Sequence, residues 1–434
     1  MKKITAVLIG AGQRGANAYA EYALRYPQEL QIVAVAEPEA DKTENFREKH
    51  GIPMDRCFSS WDGLLKEGRL ADAALICTQD SMHFEPTLKA LEKGYHVLLE
   101  KPMAVRPEHC IAMSEYAEKC NRIFSICHVL RFTSFFSTIK QLLDMGRIGK
   151  LISIQHNENV GFWHQAHSYV RGNWRSSADS SPMILAKSCH DMDILLWLAG
   201  ADCVQLSSFG SLTHFKSENA PEGAPERCLD GCPARDECIY HAAKQYLTED
   251  TSWPTSVISV DTSMEARKKA LTEGPYGRCV YRCDNDVVDH QVVNMEFANE
   301  VTAAFTMCAF TNNNDRTIKL MGSKGEIRGS IDKYEIEVTD FYTQRRDVIC
   351  LNSMSGKSGH HGGDEGLIRD FVRLVQREGV DEGLTSANIS VQSHLMAFAA
   401  EKSRLEKKVV QMGGYMEELK SNLHKTAAAE AGQK

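Results

Sequence analysis

The stretch Ile4-Thr-Ala-Val-Leu-Ile-Gly10-Ala-Gly-Gln-Arg-Gly15 decides the fold of the N-terminal part of the chain. A short apolar run leads directly into a G-x-G-x-x-G turn, and helical periodicity begins after it. In a strand–turn–helix unit such glycines let the backbone approach a pyrophosphate at the helix N-terminus. The alternative is a tight turn without a ligand. The predicted phosphate-binding residues are Gly10, Gly12, Gln13, Arg14 and Gly15.

Apolar runs of the same kind recur downstream and alternate with longer amphipathic segments. They are ITAVLI, LQIVAVAE, DAALICT, HVLLEKP and IFSIC. Runs that are apolar on both faces and separated by helical stretches are typical of parallel strands joined by crossovers. The sequence therefore predicts an α/β chain whose residues 1–126 form a doubly wound parallel sheet, a Rossmann domain.

The hydrophobic pattern changes in the remainder of the chain, residues 127–434. Polar and apolar residues alternate in LISIQHNENVGF, VQLSSFGSLTHF, VVDHQVVNMEF, EVTAAFTMCAF and YEIEVTDF. Strict alternation is typical of antiparallel strands with one face in solvent. We therefore predict a C-terminal α+β domain built on an open, mainly antiparallel sheet.

Polar residues follow the predicted parallel strands at the edge where such sheets bind ligands. Glu37 ends the second run, where a carboxylate can accept hydrogen bonds from an adenosine ribose and repel a 2′-phosphate, so NAD is favoured over NADP. Glu100-Lys101-Pro102 follows HVLL, although a surface lysine before a proline turn would look the same. The predicted cofactor contacts at this edge are Glu37, Thr78, His83, Glu100 and Lys101.

Composition narrows the class of partner. The chain has 434 residues, 50 Lys and Arg against 58 Asp and Glu, and a net charge of -8. This mildly acidic balance argues against nucleic acid or an anionic membrane as the main partner and favours a small molecule. The N-terminus imitates a signal peptide, but its apolar run is short and Arg14 follows at once. No run approaches the ~18 apolar residues of a membrane span, so we expect a cytoplasmic protein with reduced thiols.

The glycine turn, the segment DAALICTQDSMHFEPTLKALEKGYHVLLEKPMA and the antiparallel second half together resemble the Gfo/Idh/MocA family. The resemblance implies a Rossmann domain and a second domain whose open sheet often mediates oligomerisation, so that a homodimer or homotetramer is expected. It also implies NAD(P)-linked oxidation of sugars or polyols. In that family the lysine that matches Lys101 lies near both the nicotinamide and the substrate.

The segment Lys187-Ser-Cys-His190-Asp-Met-Asp193 is the third candidate motif. Lys187 and His190 are spaced to share one helix face. His190 matches the family's catalytic histidine, but Ala186 stands where the family has an aspartate four residues earlier. Lys187 and Lys101 are expected to keep His190 neutral and able to accept a proton. The alternative is a histidine that only packs against the core helix.

Polar and aromatic residues flank these motifs in a mixture that suits the hydroxyl edges and C–H face of a sugar ring. A polar loop over a sheet would have the same composition. The predicted substrate-binding residues are Arg131, Trp163, His164, His167, Arg171, Trp174, Arg175 and His361.

A cysteine-rich stretch, about residues 214–284, interrupts the strands of the second domain where relatives have a short loop. Clustered thiolates can form a tetrahedral zinc site, which we expect as a staple for this insertion. One alternative is an iron–sulfur cluster, although the spacings match none of the common ferredoxin patterns. The other is that the cysteines are unligated or bridged. The predicted ligands are Cys228, Cys232, Cys238, Cys279 and Cys283.

Together these features predict an NAD-dependent oxidoreductase that oxidises a secondary hydroxyl of a sugar, polyol or glycoside, with His190 as base and Lys101 orienting the oxygen. A second possibility is an NAD-dependent glycosidase, in which transient ring oxidation acidifies a neighbouring C–H and permits elimination and addition of water. A third, a non-catalytic NAD sensor, would need neither Lys101 nor His190.

Overall fold

The computed structural model describes residues 2–351, 360–377 and 383–431. Six strands of the N-terminal part form a parallel sheet in the order β3-β2-β1-β4-β5-β6, which confirms the doubly wound architecture. The strands are β1 (Ile4–Ile9), β2 (Leu30–Ala36), β3 (Cys57–Phe58), β4 (Ala73–Ile76), β5 (His96–Leu99) and β6 (Phe124–Ile126). The helices between them are α1 (Glu21–Arg25), α2 (Ala40–His50), α3 (Trp61–Lys66), α4 (Phe84–Glu92) and α5 (Pro107–Cys120).

The central strand β1 shows why these runs are apolar on both faces. Val7 and Ile9 join the core on one side of the sheet, and Ala6 and Leu8 join a second core on the other. All four are essentially inaccessible to solvent. A strand covered on both faces has no wet side, so its sequence does not alternate.

The second sheet has nine strands in the order β14-β13-β12-β11-β7-β10-β9-β8-β15. Within the described ranges, β7 and β10 are its only parallel neighbours, so the predicted mainly antiparallel sheet is confirmed. The strands are β7 (Leu151–Gly161), β8 (Cys203–Ser211), β9 (His290–Phe297), β10 (Thr302–Thr311), β11 (Asp315–Gly322), β12 (Gly325–Ser330), β13 (Glu335–Asp340), β14 (Arg346–Cys350) and β15 (Val410–Gln411).

Helices cover one face of this sheet and leave the other in solvent. The helices of this part of the chain are α6 (Ser134–Asp144), α7 (Phe162–His164), α8 (Met183–Ala186), α9 (Cys189–Ala199), α10 (Ala242–Tyr246), α11 (Met264–Glu273), α12 (Gly363–Gln376), α13 (Ala387–Glu406) and α14 (Met412–Ala431). Among them α6, α9, α13 and α14 contact strands of this sheet, whereas α10 and α11 belong to the cysteine-rich insertion. On β9, Val293 and Met295 are buried whereas Val292 is exposed, which is the expected alternation.

Helix α12 returns from the second sheet to the first. Leu367 and Phe371 pack in the same core as Ala6 and Leu8 of β1, on the Rossmann side of the molecule. The chain therefore crosses between the two sheets again near its C-terminus, and this crossing places Asp364 beside the glycine turn. The predicted boundary between residues 126 and 127 stays a prediction, and residues 1 and 432–434 lie outside the described ranges.

The cysteine-rich insertion connects β8 to β9, and its two ends are clamped together. Arg227 and Arg278 form an antiparallel bridge, with Cys228 N donating to Gly277 O at 2.9 Å. The predicted zinc site is not supported, because within the described residues no three His, Cys, Asp or Glu side chains are placed to hold one metal ion. Two of the thiols donate to backbone carbonyls instead: Cys283 Sγ to Cys279 O at 3.3 Å and Cys228 Sγ to Arg278 O at 3.8 Å.

None of the fourteen cysteines, all of which lie within the described ranges, forms a disulfide. Among the described helices, none has the length and apolar character needed to cross a bilayer.

Candidate active site

The glycine turn after β1 leaves room for a ligand at one glycine only. A Cβ on Gly10, whose φ is +92°, would lie 2.5 Å from Cys77 O, and one on Gly15 would lie 2.1 Å from Gly10 O. A Cβ on Gly12 meets no atom within 4 Å. Gly10 and Gly15 are therefore required by close backbone packing, whereas the backbone at Gly12 is open to an approaching group. This arrangement fits a dinucleotide pyrophosphate.

The other predicted cofactor residues lie along the same edge of the parallel sheet. Glu37, buried at the end of β2, accepts hydrogen bonds from Ala11 N at 2.8 Å and Glu39 N at 3.1 Å. Beyond β4, the Thr78 hydroxyl donates to Met82 O at 3.3 Å, and His83 Nδ1 donates to Pro102 O at 2.7 Å. Glu37 thus fixes the glycine turn and also faces the cofactor edge, while His83 ties the β4 loop to Lys101-Pro102. Gln13 lies at the surface of the turn, where its Oε1 accepts a hydrogen bond from Asn17.

Arg14 is engaged within the protein. Its guanidinium pairs with Glu100 at 2.7 Å and with Asp364 of α12 at 2.7 Å. Burial would raise the pKa of Glu100, but Arg14 and Lys101 more than offset it and the pKa is lowered. Arg14 therefore joins the Rossmann turn to the C-terminal helix. Asp364 is a site residue that was not among the predicted ones.

Lys101 reaches from the Rossmann part of the chain to the segment that carries His190. Lys101 Nζ donates to Ala186 O at 2.9 Å, directly before the segment that carries His190. His190 is 4% exposed, and neither ring nitrogen has a hydrogen-bond partner in the described part of the chain. The His128 and His360 rings lie 5.9 and 5.8 Å from its ring centroid. His190 is thus a buried imidazole with both nitrogens available.

The surroundings of His190 keep it neutral. Burial, and then the charge of Lys101, lower its pKa well below the usual value for histidine. The expected contribution of Lys101 is therefore present. Lys187 is not among the main causes of this shift, and its ammonium pairs with Glu158.

A carboxylate does lie near His190, but it comes from strand β7 and not from the position of Ala186. Glu158 of β7 pairs with Lys187 at 3.2 Å and with Arg316 of β11 at 2.6 Å. Arg316 also pairs with Asp191 at 2.8 Å. Burial raises the pKa of Glu158 and lowers that of Lys187, as expected for a desolvated pair. Two cations and two carboxylates thus form one buried, balanced network beside His190.

The pairing of charges in this network follows from the register between two neighbouring strands. Glu158 and Arg316 are register partners on the antiparallel neighbours β7 and β11. Opposite charges at such positions stabilise a pair of strands. The sequence alone gave no means of pairing Glu158 with Arg316.

A second buried ion pair lies behind His190. Arg131 binds Asp193 through both its Nε and Nη2, each at 2.7 Å, and its Nη1 donates to Leu384 O at 2.9 Å. Because all three guanidinium contacts are internal, Arg131 fits a role in positioning α9 better than the predicted contact with substrate.

Some predicted substrate residues do flank the network. His164 Nδ1 donates to Asn314 at 2.9 Å, and burial followed by Lys187 lowers the His164 pKa well below its usual value. Trp163 and His164 both lie against Trp253 of the insertion, with ring centroids 5.5 and 4.9 Å away. His361, next to the His360 that approaches His190, lies 2.7 Å from the Tyr334 hydroxyl.

Other predicted substrate residues have structural partners. Trp174 Nε1 donates to Asp80 at 3.3 Å, and Arg175 pairs with Asp284 at 3.0 Å. His167 lies 2.8 Å from the Tyr246 hydroxyl inside the insertion, and the buried Arg171 donates to Tyr240 O at 2.7 Å. His167, Arg171 and Arg175 hold the insertion and its adjoining loop together, whereas Trp174 ties that loop to the segment after β4. None of these contacts brings the four residues to His190.

The sequence matches two family descriptions that together cover most of it. Residues 4–128 match "Oxidoreductase family, NAD-binding Rossmann fold", and residues 140–412 match "Oxidoreductase family, C-terminal alpha/beta domain" of the same family. The chain belongs to the Gfo/Idh/MocA oxidoreductase family. The predicted family and the NAD-type cofactor site are confirmed at this level.

Among curated relatives of the family, a 2,7-anhydro-N-acetylneuraminate hydratase from Mediterraneibacter gnavus is 27% identical over 46% of this chain and 50% of that protein. A D-glucoside 3-dehydrogenase from Escherichia coli is 29% identical over 33% of this chain and 40% of that protein. The chain thus spans half or less of the length of these two relatives.

The fold agrees with a solved family structure over almost the whole chain. A levoglucosan dehydrogenase in complex with NADH and levoglucosan superimposes with a TM-score of 0.70, covering 94% of this chain and 99% of that one at 16% identity. At this identity the likeness concerns the fold.

Proposed function

We propose that this chain is an NAD-dependent oxidoreductase that oxidises a secondary hydroxyl of a sugar, polyol or glycoside. The observation that carries the proposal is the buried His190, which has no hydrogen-bond partner among the described residues and whose pKa is lowered by burial and by Lys101, the lysine at the sheet edge where the glycine turn can hold a dinucleotide. The D-glucoside 3-dehydrogenase relative supports the carbohydrate substrate.

In this proposal the chain's own residues handle the proton. His190 accepts the hydroxyl proton of the substrate, and Lys101 orients and polarises the oxygen from which it leaves. Bound NAD supplies the acceptor for the hydride. Gly10, Gly12 and Gly15 would hold its pyrophosphate, and Glu37 its adenosine ribose.

The charges of the site favour an uncharged carbohydrate. The positive charges of Lys187 and Arg316 are already neutralised by the carboxylates of Glu158 and Asp191 within the buried network. Among the described residues the four charges of this network balance one another, so the network itself does not attract a sugar acid. The nearby polar and aromatic groups of Trp163 and His164 are the proposed contacts for hydroxyls and the ring face.

The second candidate is a glycosidase that uses transient oxidation. It is favoured by the Lys187–Glu158 pair, because a desolvated pair can exchange a proton and so serve elimination and water addition. The hydratase relative is in keeping with this chemistry.

An assay of free sugars and aryl glycosides with stoichiometric and trace NAD separates the two candidates. A dehydrogenase should form about one NADH per sugar oxidised, because the reduced cofactor must leave to be recycled. The measurements are absorbance of NADH and release of the aglycone. Cleavage of more glycoside than the NAD supplied, without net NADH, would instead establish the glycosidase.

The choice of NAD over NADP is proposed to depend on Glu37. Replacing it with alanine or arginine should weaken NAD binding by roughly 10- to 100-fold, since a charge-assisted hydrogen bond contributes about 1.5–3 kcal/mol, and should narrow the preference over NADP. Titration calorimetry with both cofactors measures this. Glu39→Ala, which removes the exposed neighbouring carboxylate, is the control. Tighter binding of NADP than NAD by the unmutated protein would contradict the proposal.

We propose further that copies of the chain associate through the open face of the nine-stranded sheet. That face carries the exposed apolar side chains Val204, Phe209, Val292 and Phe310. Sedimentation of the purified protein tests for a dimer or tetramer.

A further inference from the structure

The proton that His190 is proposed to accept has to leave a buried site. His190 is 4% exposed, and among the described residues no carboxylate is hydrogen-bonded to it. Burial, and then the charge of Lys101, lower the pKa of this imidazole. A buried imidazolium without a counter-ion is costly, and a neighbouring cation makes it costlier. The proton therefore needs a second acceptor that lies closer to solvent.

Two other imidazoles lie beside His190, and only one of them reaches solvent. The ring centroids of His128 and His360 lie 5.9 and 5.8 Å from that of His190. His128 is fully buried, and the carboxylate that it approaches, Asp193 Oδ1 at 3.8 Å, belongs to the pair with Arg131. The His360 side chain is 34% exposed. A proton passed to His128 would stay inside the protein, whereas one passed to His360 can be released to water.

His360 is held by a buried carboxylate, and a guanidinium fixes that carboxylate in turn. His360 Nδ1 lies 3.1 Å from Asp364 Oδ1. Asp364 is buried, and its two oxygens accept hydrogen bonds from Arg14 at 2.7 and 3.1 Å. Burial would raise the pKa of Asp364, but His360 and Arg14 more than offset it and the pKa is lowered. Asp364 therefore stays ionised and supplies His360 with the counter-charge that His190 lacks.

The surroundings of His360 Nδ1 suit both protonation states of the ring. When Nδ1 carries a proton it donates to Asp364, and when it carries none it accepts from Arg14 Nη1 at 3.2 Å. An imidazole that relays protons changes its state in every cycle, so a partner for each state favours the exchange. Because both contacts are made by Nδ1, Nε2 is the nitrogen that remains for taking up and releasing a proton.

We propose, building on the oxidation proposed above, that His360 carries the substrate proton from His190 to solvent. After His190 has taken the hydroxyl proton, its new N–H bond breaks and the proton passes through one bridging water to His360 Nε2. The His360 imidazolium is paired with Asp364 until Nε2 releases the proton to bulk water, and both rings are then neutral again. His360 is thus a relay that acts through His190 and makes no proposed contact with the substrate.

Two variants separate a relay from a structural role. His360→Asn keeps an N–H group that can donate to Asp364 but has no basic nitrogen, whereas His360→Ala removes both. A relay predicts that each variant lowers kcat by about 10-fold or more and leaves NAD affinity unchanged. Thermal unfolding checks that both variants are folded. A parental kcat in His360→Asn would mean that the residue only holds the start of α12, and would overturn the proposal.

Imidazole added to the buffer gives a readout that a structural role would not move. Because the His360 side chain is partly exposed, free imidazole can enter the space left in His360→Ala and carry the proton. We expect it to raise kcat of this variant several-fold, with no change in the parent or in His290→Ala, which alters a half-exposed histidine on β9. Failure of imidazole to raise kcat in both His360→Ala and the smaller His360→Gly would overturn the relay.

The same measurements keep the relay and the proposed function apart. They follow NADH absorbance with the free sugar or aryl glycoside that the unmutated protein oxidises fastest. An unmutated protein that forms no NADH with any of them would contradict the proposed oxidation, and the relay with it. Oxidation by the unmutated protein at the same rate as by His360→Asn would overturn the relay alone.

Discussion

His190→Ala is expected to lower kcat for carbohydrate oxidation by about 10²- to 10⁴-fold while leaving NAD affinity nearly unchanged. The physical reason is that His190 lies close to the charge of Lys101 and neither of its ring nitrogens has a hydrogen-bond partner among the described residues, so it is the proposed acceptor of the substrate proton. Steady-state kinetics with the preferred sugar, together with NAD titration of the free protein, measure the two quantities separately.

The control for this variant is His290→Ala, which removes a half-exposed imidazole at the start of β9. It should leave kcat within about twofold, as expected for a surface substitution away from the site. Full activity of His190→Ala would show that another group accepts the proton.

The pH profile of the unmutated enzyme provides a second readout of the same residue. Because burial and Lys101 lower the pKa of His190, the imidazole stays neutral below the ordinary histidine pKa of about 6.5. The rate of oxidation should therefore fall only at a pH well under that value, as His190 becomes protonated. An acid limb centred on an ordinary histidine pKa would contradict a buried base.

Lys101→Ala is expected to have an effect of similar size, at least about 10²-fold on kcat. Two losses combine in this variant: the cation that polarises the substrate oxygen, and the charge that helps keep His190 neutral. The acid limb of the pH profile should therefore move to higher pH in Lys101→Ala, a shift that a purely structural role would not produce.

Lys66→Ala provides the matched control, since Lys66 is a largely exposed lysine on α3. Fluorescence quenching by NAD should give the same affinity for both lysine variants and the parent. An unchanged kcat in Lys101→Ala would remove this residue from the proposed chemistry, and a loss of NAD binding alone would reassign it to the cofactor.

Much of the architecture was predictable because its causes are local in sequence. A strand buried on both faces must be apolar throughout, so ITAVLI and HVLLEKP identify parallel strands without knowledge of their neighbours. Alternation likewise identified the antiparallel sheet. The glycine turn was equally predictable, because a side chain at Gly10 or Gly15 would clash with nearby backbone atoms.

The electrostatics of the site required tertiary structure. Glu158 and Arg316 meet only through the register of β7 and β11, which alternation within one strand does not specify. His360 and Asp364 reach the Rossmann turn only because α12 crosses back to the first sheet. Lys187, expected to influence His190, is balanced instead by Glu158.

The sequence by itself determined the two sheets, the nucleotide-binding turn, and the presence of Lys101 and His190 as the candidate pair. These depend on hydrophobic periodicity and on residues that follow each other along the chain. Only the tertiary structure decided which charges are paired and which histidine nitrogens have no hydrogen-bond partner among the described residues. Such contacts join residues far apart in sequence, and their strength depends on burial, which a linear pattern does not contain.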